Sequence, residues 1–123
     1  MLARLIVLPL VAAAGLVLGG TTANSADAAT PCAGRPGKTV PFRTGELRLF
    51  RSRSYACAVA VAKHPGPRRR MSVTIQARGG SPVVDSGRYT RRAGPVTVHA
   101  LNRCVRASAT ISGRSASTGW VLC

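Results

Sequence analysis

The sequence predicts an all-β fold: a small, disulfide-stapled antiparallel β-sandwich or partly open barrel. Three observations carry that expectation. Short runs of alternating apolar and polar residues recur along the chain, the period-two pattern of strands with one buried and one wet face. Turn-forming pairs such as Gly79-Gly80, Ser86-Gly87 and Ser112-Gly113 punctuate those runs at short intervals. Four cysteines, Cys32, Cys57, Cys104 and Cys123, stand in a chain of 123 residues, a length that holds one domain.

The N-terminal stretch has the order of a secretory signal. Arg4 supplies the positive start, Leu5 to Leu18 the apolar run, and Ala26-Asp27-Ala28 a small-x-small cleavage site. The expected organisation is a signal peptide over 1–28, cut after Ala28 or Ala29, and a single secreted β domain over 29–123. The apolar run falls short of the roughly 20 residues a spanning helix needs. A retained anchor is therefore disfavoured, and no stable membrane span is expected after cleavage.

The strands follow in order. Lys38–Arg43 and Glu46–Arg51 flank Thr44-Gly45 as a hairpin, with Leu47 and Leu49 on one face and Arg48 and Phe50 on the other. Ala56–Ala62 sets Cys57, Val59 and Val61 against small alanines. Met71–Arg78 sets Met71, Val73, Ile75 and Ala77 against Ser72, Thr74, Gln76 and Arg78. Asp85-Ser86-Gly87 reads as turn chemistry, with Gly supplying positive φ and Asp capping its own turn. Gly94-Pro95 reads as the start of a strand that carries Val96, Val98 and Ala100 on one face. Val105–Ile111 and Thr118–Leu122 form a last hairpin around Gly113-Arg114.

An even number of cysteines in an exported chain implies disulfides. Cys104 and Cys123 are equidistant from Gly113-Arg114, and Cys32 and Cys57 from Thr44-Gly45, which favours Cys32–Cys57 and Cys104–Cys123. Cys57 and Cys104 are also symmetric, about Gly80-Ser81, so spacing leaves a different pairing open. No Cys-x-x-Cys is present and neither His64 nor His99 lies at finger spacing from a cysteine, so no metal site is expected.

Charge is the strongest functional signal. The formal net charge is +15. Beyond residue 28 the acids are Glu46 and Asp85 alone, against Lys38, Lys63 and fifteen arginines. Most arginines must therefore face water or an anionic partner. Arg48, Arg51 and Arg53 on or beside one strand, Arg68, Arg69 and Arg70 after a Pro-Gly-Pro loop, and Arg91 and Arg92 before a turn are the candidate anion-binding residues. Charge alone admits nucleic acid as a partner. Stacking aromatics are not interleaved with the arginines apart from Tyr55 and Tyr89, which ranks nucleic acid below anionic wall or spore-surface polymers. A Ser-His-Asp set drawn from His64 or His99 and Asp85 lacks a Gly-x-Ser-x-Gly elbow, and Glu46 and Asp85 are the only carboxylates available for glycoside chemistry. No catalytic residues, enzyme activity or cofactor are expected.

Gly79-Gly80-Ser81, Asp85-Ser86-Gly87-Arg88-Tyr89, Ala93-Gly94-Pro95-Val96 and Asn102-Arg103-Cys104-Val105, in this order and spacing, resemble the spore-associated protein A family of Streptomyces and related actinomycetes. The upstream half fits more loosely, through Cys32-Ala33-Gly34, the Glu46–Phe50 strand and Cys57-Ala58-Val59. The resemblance implies a small secreted protein found with spores or the cell surface, with no catalytic residues to carry over. Two positions depart from the family pattern. Thr90-Arg91-Arg92 stands where aromatics often precede Ala-Gly-Pro-Val, and Arg106-Ala107 where a tryptophan commonly follows Cys-Val.

The expectation is therefore a secreted, non-enzymatic spore- or cell-envelope protein held on anionic surface polymers by exposed arginines. A diffusible polyanion-binding or antimicrobial effector is the alternative, and a small secreted hydrolase stands third.

Overall fold

A computed structural model describes residues 32–123. The signal peptide over 1–28 and its cleavage site lie outside the described residues. Eight strands form within that range: β1 (Arg35–Phe42), β2 (Gly45–Arg51), β3 (Tyr55–Ala62), β4 (Arg69–Ala77), β5 (Val83–Tyr89), β6 (Arg92–His99), β7 (Val105–Ile111) and β8 (Arg114–Ser117). They make two four-stranded antiparallel sheets, ordered β1-β2-β3-β6 and β5-β4-β7-β8. The sheets are not closed into a barrel, so of the two expected architectures the sandwich is the one formed. Among the described residues no helix is long and apolar enough to cross a membrane.

The interior follows the alternation in the sequence. Leu47 and Leu49 of β2, with Val96 and Val98 of β6, face Met71, Val73 and Ile75 of β4 and Val105 and Ile111 of β7. On β3 the alanines, not the valines, point inward. Ala56, Ala58, Ala60 and Ala62 are buried in the main core, while Cys57 and Val59 form a small second cluster with Cys32 on the outer side. Nine of the 21 buried apolar residues are alanine and none is aromatic. A buried alanine removes little apolar surface from water, so this core is thin and other constraints matter more.

Both open sides of the sandwich are closed by specific contacts. On one side β5 and β6, the edge strands of opposite sheets, meet through Asp85. Its Oδ1 accepts a 2.6 Å hydrogen bond from Tyr89 Oη and its Oδ2 a 2.7 Å bond from Gly94 N. Asp85, Gly87 and Tyr89 lie on the same face of β5, and a Cβ at Gly87 would stand 3.0 Å from Tyr89 Oη. The missing side chain lets the Tyr89 ring fold back along its own strand to reach Asp85. Gly94, at φ +93°, sits where a Cβ would come within 3.0 Å of Ala58 O.

This geometry corrects the reading of Asp85-Ser86-Gly87 as a turn. The segment is strand, and Asp85 caps no turn of its own. Gly94-Pro95 likewise does not start a strand. It falls inside β6, where the pairing with β3 shifts register between Ala58 and Ala60. In both cases contacts between sheets override the local preference of Gly and Pro for turns.

On the other side the C-terminal tail covers the gap between β1 and β8. Val121 and Leu122 pack against the core, and Leu122 occupies the space over Gly37, where β1 bulges between Pro36 and Lys38. The last hairpin also differs from expectation. β7 pairs with Arg114–Ser117 rather than Thr118–Leu122, and beyond Thr118 the tail rejoins β7 at a Val105–Val121 bridge. Thr118 N donates to Ala107 O and Val121 N to Val105 O, so Gly119 and Trp120 together oppose Arg106 as a bulge.

The disulfides are Cys32–Cys57 and Cys104–Cys123, the favoured pairing. The route of the first differs from a simple hairpin. Ser52–Ser54 turns the chain back into β3, setting Cys57 opposite Phe50 and within reach of Cys32, which lies shortly before β1. Closing loops of sequence separation 25 and 19, each bridge contributes about 3 kcal/mol in the chain-entropy picture.

Two predictions follow from this packing. Replacing Cys104 and Cys123 together by serine lowers the unfolding free energy by about 3 kcal/mol, read by urea denaturation, and raises hydrogen exchange at Val105 and Val121 first. Separately, the hydrogen bond from Tyr89 to Asp85, reinforced by burial and by the carboxylate's charge, raises the phenol above its ordinary value of 10.0. A raised value means that this stabilisation is complete below pH about 10 and is lost as pH climbs through the folded-state value. Ultraviolet titration of tyrosinate should show one late phase that moves to lower pH in Asp85→Asn; an unmoved phase would contradict the assignment.

Candidate anion-binding surface

The two carboxylates among the described residues are both engaged. Asp85 is held between Tyr89 and Gly94. Glu46 accepts from Arg48 Nε at 2.7 Å, the one ion pair formed among the described residues, and both partners are solvent-exposed. The remaining bases therefore have no compensating acid side chain.

The eight arginines singled out by sequence do not share one surface. Arg48 lies on the outer face of the first sheet with Glu46. Arg51 is half-buried and structural: its Nη2 donates to Ala100 O at 2.6 Å and its Nη1 to Arg103 O at 3.4 Å, tying the end of β2 to the β6–β7 loop. Arg53 is exposed in the neighbouring turn. Arg68 precedes β4, and Arg69 and Arg70, its first two residues, point to opposite faces. Arg68 Nη1 donates to Arg88 O at 3.1 Å, and Arg69 Nη2 donates to His64 O at 2.7 Å, closing its own loop. Arg70 points to the outer face of the second sheet, the side opposite Met71. Arg91 is exposed just before β6, and Arg92 pairs with Val61 on the outer face of the first sheet.

A different grouping emerges on the outer face of the second sheet. One cross-strand row contains Ser86, Ser72, Thr110 and Ser115. The next contains Val84, Thr74, Ser108 and Ser117. Neighbouring positions stand about 4.8 Å apart across the sheet and about 6.7 Å apart along it. Beyond the first row, Arg88 stands directly opposite Arg70. Beyond the second, Arg106 stands opposite Gln76 and donates from Nε to Gln76 Oε1 at 3.1 Å. The Trp120 ring, presented by the terminal bulge, has the Arg106 guanidinium carbon 4.7 Å and the Arg78 carbon 5.3 Å from its centroid. At the Arg106 end lies an open groove of about 440 Å³ lined by Thr74, Gln76, Pro82, Arg106, Ser108 and Thr118.

Sequence reasoning recognised Ser72, Thr74 and Gln76, and Arg106, Ser108 and Thr110, as polar strand faces. It missed Arg88, because the adjoining Asp85-Ser86-Gly87 reads as turn chemistry. It also missed the pairing that sets Arg78 and Arg106 on one tryptophan. Only the i, i+2 spacing of Ser86 and Arg88 hinted at a strand there.

The residues weighed for catalysis stay apart in their contacts. His64 lies in the exposed β3–β4 loop. His99 is on the outer face of the first sheet, edge-on to Tyr55 at 5.3 Å. Asp85 sits at the seam between sheets with both oxygens engaged. Among the described residues no three His, Cys, Asp or Glu side chains converge on a metal-sized site.

The structural and surface arginines separate by experiment. Arg51→Met is expected to cost about 1–3 kcal/mol of unfolding free energy, because it strands a partly buried carbonyl partner. Arg53→Met, one turn away and exposed, should stay within about 0.5 kcal/mol. Equal losses in denaturant titrations would refute the distinction. No family model, curated protein or solved structure matches the chain.

Proposed function

We propose that this chain is a secreted, non-enzymatic protein of the spore or cell envelope, held on anionic surface polymers by exposed arginines. The observation that carries the reading is the uncompensated cationic surface: two carboxylates, each already engaged, among seventeen basic residues in the described range. Two disulfides suit folding in an oxidising compartment outside the cytoplasm. The resemblance to spore-associated protein A and the signal-like N-terminus support the same location.

Arginine suits such a partner, since its planar fork meets phosphate and carboxylate oxygens through two parallel bonds. Attachment of this kind is electrostatic and so depends on salt. The diffusible-effector reading shares the charge but not the attachment. Washing intact cells or spores with roughly 1 M salt, which shortens screening to about 3 Å, should release the protein, and a low-salt wash should not. Retention through high salt overturns electrostatic anchoring. Recovery of most of the protein from unwashed culture medium favours the effector instead.

A further inference from the structure

We propose that the outer face of the β5-β4-β7-β8 sheet is a binding site for an extended polyol-phosphate chain, which lies along the strands with phosphates at both arginine-bearing ends. The proposal rests on the envelope-polymer reading and names its site and ligand class.

Three features of the face argue for it. First, its charge is arranged against its own stability. Arg70 and Arg88 are direct cross-strand neighbours, and like charges directly opposite each other are destabilising. Both carboxylates of the described range are committed elsewhere, so no acid on this face relieves the pair. A phosphate seated between the two guanidinium groups would.

Second, the opposite end is built rather than merely charged. Arg106 is fixed by its Nε bond to Gln76 Oε1 and by stacking on Trp120, while Gln76 Nε2 is in turn held by Gly80 O at 2.8 Å. Nε alone is used on the protein, which leaves the terminal amino groups for a ligand oxygen. Trp120 gathers Arg78 to the same end.

Third, the ground between the two ends carries hydroxyls and no charge. A serine or threonine hydroxyl both donates and accepts, so it can meet a polyol hydroxyl or a phosphate oxygen alike. Arg70 and Gln76 are six residues apart on β4, so the two ends are separated by about 20 Å. A single phosphate engages one end only, whereas a chain bridges both.

The same surface is poorly suited to single-stranded nucleic acid. Base stacking needs an open aromatic face, and the Trp120 ring is occupied by two guanidinium groups. Tyr55 and His99 belong to the other sheet.

The test measures affinity of the full domain for a poly(glycerol phosphate) chain long enough to span the face, at fixed low salt. Ser108→Glu places one negative charge in the centre of this face, and Thr97→Glu places one on the outer face of the other sheet. The expected result is a loss of about tenfold or more for Ser108→Glu and less than about twofold for Thr97→Glu. Should Ser108→Glu fail to fold, Arg70→Ser/Arg88→Ser against Arg53→Ser/Arg91→Ser makes the same comparison with charge removed instead of added. Glycerol phosphate itself should bind far more weakly than the chain. Equal losses at matched charge overturn the site and leave general polyanion attachment standing. No binding by the unmodified domain overturns both. Tighter binding of an oligothymidylate with the same number of phosphates overturns the polyol assignment.

Discussion

Asp85 spans the gap between two sheets. One oxygen takes the Tyr89 hydroxyl from its own strand, and the other takes the Gly94 amide from the edge strand of the opposite sheet. Leu47, Leu49, Met71, Ile75 and Ile111 supply the bulk of a core in which nine of 21 buried residues are alanine. Directional bonds at the seam add to that packing, and hydrogen bonds to a charged group are stronger than neutral ones. Two glycines serve this contact. Gly87 makes room for the tyrosine ring, and Gly94 brings the amide into place. The disulfides act in parallel, one securing the start of the first sheet and the other the tail that covers the opposite side.

The same arrangement shapes the outside. Asp85 is spent inside the fold and Glu46 on Arg48, so the rest of the surface keeps its full positive potential. That potential is not uniform in kind. Arg51 and Arg69 are tied to backbone carbonyls and act as struts, whereas Arg70, Arg88 and Arg106 stand on an open sheet face. Counting arginines therefore overstates the number available to a ligand. Rows of serine and threonine, with Val84, lie between the Arg70–Arg88 pair and Arg106 and carry no charge.

Much of this was legible before the structure. The bounds of Val105–Ile111 agree with the alternation, and Leu47 and Leu49 point inward as their pattern requires. β3 was harder for a physical reason. Both of its faces are apolar, so periodicity gives the strand but not its orientation, and the alanine face is the one the facing sheet accepts. β5 was missed because Ser86-Gly87 has the local chemistry of a turn. Only the return of Tyr89 to Asp85 explains a glycine in mid-strand, and that contact leaves no mark in a window of sequence. The Arg68–Arg70 run reads as one patch in sequence, yet β4 begins at Arg69, and Arg69 and Arg70 point to opposite faces.

The edge strands carry a final consequence. An unpaired strand edge is a template on which another chain can add. Here β1 contains Pro36 and Pro41 and a bulge, β6 contains Pro95 and a bulge, β8 is four residues long, and β5 is drawn toward β6 through Asp85. Proline cannot donate to a neighbouring ladder, and bulges break its register. Copies of this domain brought to high local concentration thus meet at edges that resist strand addition.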